Sequence, residues 1–140
     1  MKLFIDTWGW IVLGNKREPR HTELTNSYSS WKDQEVMSYT TDYILDETFT
    51  LLFRRVHFKE AKHSLDIIDL AIKKGYLRLE RITAERFEKA KGLRIKFRDK
   101  PRISFTDLTT MVVMTEMQIT DILTKDDHFT QVGMGFQKKP

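Results

Sequence analysis

Apolar and polar positions along the chain change period repeatedly, and short unbroken apolar runs take turns with longer stretches of helical spacing. Leu3-Phe4-Ile5 is a continuous apolar run closing on Asp6, the pattern of a strand buried on both faces of a parallel sheet. Trp8 to Leu13 is predicted to start a helix, Gly14 to Arg20 to form a loop, and His21 to Trp31 to be helical. Gln34 to Thr40 reads as a second strand. Tyr43 to Val56, capped by Asp42, carries Ile44, Leu45, Phe49, Leu52 and Val56 on one side. Lys59 to Lys73 repeats that spacing with Leu65, Ile68 and Ile72, and Gly75 closes it. Tyr76 to Ile82 is the third expected strand, and Thr83 caps a helix to about Phe97. Lys100-Pro101-Arg102 breaks that helix. Ser104 opens the next, with Leu108, Met111, Val112 and Met117, and Thr120 to Leu123 is a strand. Gly133 to Phe136 is expected to add an edge strand. Strands alternating with helices imply an α/β class with a parallel sheet.

A chain of 140 residues holds one domain, here residues 1–140, and neither a repeat nor an interdomain linker divides it. Hydrophobic residues at 40% and charged residues at 31% fit a globular protein, and no apolar run is long enough to span a bilayer. Without cysteine there is neither a disulfide framework nor a thiolate metal site. A cytoplasmic protein starting at Met1 is the expectation, with no membrane partner. The net charge of +4 gains meaning once four carboxylates are gathered at one place, because the remaining surface is then more basic than the total.

Those four acids lie where predicted elements meet. Asp6 follows a buried strand, where open α/β sheets place their sites, although it would also serve as a helix N-cap. Glu47 projects about 40° from Leu51 and about 60° from Ile44 on its helix, while Asp46 occupies the other flank, so periodicity leaves both open. Asp107 shares a face with Met111 and Met114, and Ser104-Phe105-Thr106-Asp107 also has the spacing of a capping box. Asp126 and Asp127 follow Ile122-Leu123-Thr124 just past a strand end, where a solvated turn is the alternative. Together, such acids suit Mg²⁺ or Mn²⁺, which prefer carboxylate and water oxygens.

In these residues the chain resembles the PIN-domain ribonucleases, especially the VapC-like toxins of toxin–antitoxin pairs. Leu3-Phe4-Ile5-Asp6-Thr7 is similar to the family's opening strand and first acid, and Thr40 to Thr48 to its second block, whose acid falls on Glu47. Ser104 to Asp107 resembles the third block, and Leu123 to Phe129 followed by Val132-Gly133 the closing motif, with its acid at Asp126. Trp8-Gly9 departs from the small residues common there, so the first turn is expected to pack differently. Asp127 stands where a basic residue is frequent.

The resemblance implies a PIN-like three-layer sandwich, with a parallel sheet of about five strands flanked by helices. It implies a divalent-metal-dependent endoribonuclease in which Asp6, Glu47, Asp107 and Asp126 hold one or two Mg²⁺ or Mn²⁺ ions. Thr106, Thr124 and Asp127 would orient the carboxylates or water. RNA is the implied substrate and a cognate antitoxin protein the implied partner, and a homodimer is expected.

Six basic residues between Lys91 and Arg102 suggest an RNA-backbone surface, with Lys91, Arg94, Arg98 and Arg102 as candidates and Arg54-Arg55 and Lys59 as a weaker group. A solvated helix end explains the same pattern. His21, His57 and His63 are assigned surface or packing roles, and His128, two residues after Asp126, could touch a substrate phosphate but is not counted among the site residues. Trp8, Trp10 and Trp31 are expected in the core or at a partner interface, and Met111 to Met117 in the core. Two other classes compete: a PIN-like module that binds RNA or a protein without turnover, distinguished by RNA binding without metal-dependent products, and a phosphoryl-transfer protein. The second lacks the Asp-x-Asp of aspartate-based phosphatases, since position 8 is tryptophan.

Overall fold

The computed structural model describes residues 1–140 as one five-stranded sheet with helices on both faces. In chain order the elements are β1 (Lys2–Ile5), α1 (Thr7–Gly14), α2 (His21–Asp33), β2 (Met37–Thr41), α3 (Asp42–Arg55), α4 (Phe58–Lys73), β3 (Leu77–Glu80), α5 (Ala84–Lys96), α6 (Phe105–Glu116), β4 (Asp121–Leu123), α7 (His128–Gln131) and β5 (Gln137–Lys139). The strand order is β3-β2-β1-β4-β5, and every pairing is parallel. No helix is long and apolar enough to cross a membrane.

The continuous apolar run of β1 is explained by its position. It is the central strand, with Phe4 beside Tyr39 of β2 and Ile122 of β4, and Leu3, Phe4 and Ile5 are all buried. The chain moves outward from β1 to β3, then returns to β4 on the other side, which makes the β1/β4 edge a topological switch point. Right-handed crossovers therefore place the α1–α2 and α3–α4 pairs on one face and α5–α6 on the other, and α1 packs on α3 and α5 on α6 within those layers. One buried cluster reaches through the sheet from Leu24 and Ile68 to Leu108, Met111 and Met114. Gly9 lets α1 press onto the sheet: a Cβ there would lie 2.9 Å from Leu123 Cδ2 and 3.1 Å from Ile5 Cγ2.

Three expectations need correction. The last strand is Gln137–Lys139, not Gly133 to Phe136, because Gly133 (φ +66) and Gly135 (φ +87) turn the chain through the left-handed region before β5 can pair. Helix α3 is capped by Thr41, whose hydroxyl accepts from the Ile44 N–H at 3.1 Å, rather than by Asp42. Asp42 instead accepts from the Ile82 N–H at 2.9 Å and ties α3 to the end of β3. The second strand begins only at Met37, because Glu35 has φ +59 and reverses the chain after α2.

Candidate active site at the switch point

Each acid reaches the carboxyl end of the sheet by a different route. Asp6 continues β1, pairs its N–H with the Leu123 carbonyl at 3.2 Å, and caps α1 by accepting from the Thr7 N–H at 2.9 Å. Its other oxygen accepts from the Thr124 hydroxyl at 2.8 Å. Capping and membership of the acid cluster are thus both true of one residue. Asp126 follows β4, where its N–H donates to the Thr124 hydroxyl at 3.1 Å. Asp107 lies in the first turn of α6, and its N–H donates to the Ser104 hydroxyl at 3.0 Å. Its carboxylate does not complete the capping box but faces His128, with Nδ1 at 3.1 Å from Oδ2. The same nitrogen lies 3.0 Å from Asp126 Oδ2, and Asp126 Oδ1 accepts from the His128 N–H at 3.0 Å.

Asp6, Glu47, Asp107 and Asp126 line one cleft of about 700 Å³, together with Thr124 and His128. Glu47 stands on α3 and is exposed, and Asp46 borders only the neighbouring hollow, so the fold separates two acids that helical period could not. Asp127 lies on the rim, where the Lys138 ammonium donates to it at 2.6 Å. Thr106 borders the neighbouring hollow rather than the cleft, and its carbonyl accepts from the Thr109 hydroxyl at 2.6 Å.

The basic candidates part company. Arg102 lines the cleft, together with Arg55 and Lys125. Arg94 gives its guanidinium to the carbonyls of Ile103, Phe97 (2.8 Å) and Lys100 (2.7 Å), closing the end of α5, so its donors are committed to backbone. Lys91 pairs with Glu88 at 3.1 Å, and Arg98 rests on the Ile95 carbonyl at 3.3 Å; neither borders the cleft. His21 has a packing role, its Nδ1 2.7 Å from the Val12 carbonyl. Trp10 is buried, as expected, whereas Trp8 is half-buried and forms part of the cleft wall. Sequence reasoning underweighted His128 and passed over Lys125. The available signal was their place in one tight turn with Asp126.

Electrostatics of the cluster call for positive charge. Asp6 is only 7% exposed, and burial followed by the Asp107 and Glu47 charges pushes its carboxyl up to about 7, against the Thr124 and Thr7 hydrogen bonds. Asp107 is also raised, first by burial and then by Asp126, with His128 opposing. Ligand atoms of Asp107, Asp126 and His128 lie within 4.8 Å of one another. Crowded carboxylates at a strand end, held outward by hydroxyl and imidazole donors, fit a hard divalent cation.

An all-parallel α/β domain with acids from four segments gathered at its switch point defines the PIN class of nuclease domain. No family model matches the chain. It is 32% identical over 132 residues to the 23S rRNA-specific endonuclease VapC20 of Mycobacterium tuberculosis, spanning 94% of each chain. The crystal structure of that protein, described as a sarcin–ricin-loop-cleaving toxin, matches with a TM-score of 0.77 at 29% identity, over 94% of this chain and 95% of that one. VapBC2 from Rickettsia felis, bound to a DNA fragment from its promoter, matches with a TM-score of 0.74 over 99% of this chain and 98% of that one, and at 14% identity shows the fold alone. The chain belongs to the VapC family of PIN-domain endonuclease toxins.

Proposed function

We propose that this chain is the toxin of a toxin–antitoxin pair, acting in the cytoplasm as a Mg²⁺- or Mn²⁺-dependent endoribonuclease at the Asp6, Glu47, Asp107 and Asp126 cleft. The observation that carries this is the convergence of those four acids with two raised carboxyls. The VapC20 relative acts on 23S rRNA, so ribosomal RNA is the substrate class of choice here. An antitoxin would cover the toxin before its release.

Asp6, Glu47, Asp107 and Asp126 would hold one or two ions. When bound, the ion supplies Lewis acidity for in-line displacement at a phosphodiester. Thr124 fixes Asp6 through its hydroxyl proton and holds the Asp126 backbone through its oxygen, so one side chain sets two of the acids. His128 braces Asp107 against Asp126. Arg55, Arg102 and Lys125 take the phosphates flanking the scissile one, placing positive charge at the rim while the acidic floor receives the ion.

Cleavage of purified ribosomal RNA with Mn²⁺, with 5′ ends mapped, tests the reading. Asp6→Asn and Asp107→Asn should fold and leave no metal-dependent products. Undiminished cleavage by both variants overturns the proposal.

A further inference from the structure

Among the acids of the cleft stands one imidazole. His128 is the histidine that borders it, whereas His21 and His63 line a separate hollow and His57 precedes α4. The turn that carries His128 is pinned on both sides. Phe129, the next residue, is fully buried and meets the Phe136 ring edge-on at 6.3 Å. On the other side the Asp126 N–H is held by the Thr124 hydroxyl at 3.1 Å, and the His128 N–H donates to Asp126 Oδ1 at 3.0 Å. The ring is therefore delivered to the acids by fixed backbone rather than by a mobile side chain.

Its Nδ1 stands 3.1 Å from Asp107 Oδ2 and 3.0 Å from Asp126 Oδ2. A neutral imidazole carries at most one proton on that nitrogen, and one proton cannot fully serve two carboxylates. Bracing the acids uses the nitrogen as a donor; with the ring proton carried on Nε2, which bonds to no protein group, the same nitrogen offers a lone pair. Donor atoms of Asp107, Asp126 and His128 all lie within 4.8 Å of one another. Neighbouring donors around an octahedral ion with bonds of about 2.1 Å stand about 3.0 Å apart, which is the spacing of this nitrogen from each carboxylate.

We infer that His128 is a nitrogen ligand, through Nδ1, of the ion held between Asp107 and Asp126, and that it sets which ion the cleft prefers. This rests on the metal-dependent nuclease reading and adds one nitrogen donor to the oxygens of its four acids. Mg²⁺ is held by carboxylates, waters and phosphates, whereas first-row transition ions accept imidazole more readily. The nitrogen therefore ranks Mn²⁺ above Mg²⁺ by more than carboxylates alone would.

Pulsed electron paramagnetic resonance of Mn²⁺ bound to the whole protein tests ligation without turnover. The wild-type spectrum should show nitrogen modulation from a coordinated imidazole, and ¹⁵N labelling of histidine should change its form. His128→Asn puts an amide at the place of Nδ1, which can donate an N–H or offer an oxygen but has no ligand nitrogen. It should abolish the modulation and lower the ratio of Mn²⁺ to Mg²⁺ affinity about tenfold, read by Mg²⁺ competition against bound Mn²⁺. His63→Asn, outside the cleft, should leave both unchanged. Thermal unfolding in EDTA checks that the variants are folded, and the labelling arm needs no variant. Bound Mn²⁺ without nitrogen modulation in the wild-type protein, modulation that survives in His128→Asn, or an unchanged affinity ratio would overturn the inference. Failure of the nuclease reading shows separately, as absence of Mn²⁺-dependent cleavage by the wild-type protein.

Discussion

Replacing Asp6 with asparagine should abolish cleavage and yet make the metal-free protein more stable. The carboxyl is lifted from 3.8 to about 7 because it is buried beside Asp107 and Glu47. A lift of about three units at about 1.4 kcal/mol each puts about 4 kcal/mol of penalty on the ionised form. The folded protein therefore holds this proton more tightly than the unfolded chain. Stability falls as pH rises from about 4 towards 7 and levels off above that. Asparagine keeps the cap to Thr7 and can still meet the Thr124 hydroxyl, but carries no charge at any pH. In EDTA, Asp6→Asn should match wild type near pH 4.5 and exceed it by about 2–4 kcal/mol near pH 8, or roughly 6–12 °C in Tm. Saturating Mn²⁺ should narrow the gap by stabilising only the wild-type protein, by about 2.7 kcal/mol at a hundredfold excess over Kd. Thermal unfolding at a series of pH values measures all of this. A variant no more stable than wild type at pH 8, or a gap independent of pH, refutes the electrostatic account of the cluster.

Thr124→Val removes a hydroxyl that serves Asp6 and Asp126 together, so Mn²⁺ affinity should fall about 10- to 100-fold in direct titration. Arg94→Ala should cost about 2 kcal/mol in urea unfolding while leaving RNA affinity unchanged, because its donors serve carbonyls. Arg102→Ala should do the reverse, lowering RNA affinity and reducing the salt slope by about 1. Gly9→Ala pushes a methyl to within 2.9 Å of Leu123 and should destabilise by about 1–3 kcal/mol in the same unfolding assay.

Period and punctuation made most of the fold legible. The unbroken Leu3-Phe4-Ile5 run announced a strand buried on both faces, and Ser104 and Thr83 marked helix starts that the structure places where expected. The final strand was misplaced because Phe136 is buried and apolar, while β5 itself is Gln-Lys-Lys, an edge strand whose sequence advertises no burial. Asp6, Asp107 and Asp126 were readable at element junctions and Glu47 within its helix, but not how side chains spread around them. Helical period could not separate Asp46 from Glu47, because only the tertiary arrangement puts Glu47 on the cleft that Asp6 and Asp107 line. Nor could it foresee that Arg94, in the middle of a basic run, spends its charge on three carbonyls of its own loop. His128 stood apart from the other histidines only by its place beside Asp126, and nothing in the sequence announced its contact with Asp107, which the fold brings within 3.1 Å of it across a sequence gap of 21 residues.

In the proposed reading the four-acid cleft holds the ion on which RNA cleavage depends. Mn²⁺ titrated into wild-type protein and Asp107→Asn, with bound ion followed by electron paramagnetic resonance and RNA cleavage measured in the same samples, tests it most directly. Cleavage should rise with occupancy in the wild-type protein, vanish in EDTA, and be absent in Asp107→Asn together with most of the bound Mn²⁺. Cleavage that persists in EDTA, or in Asp107→Asn without bound ion, would contradict it.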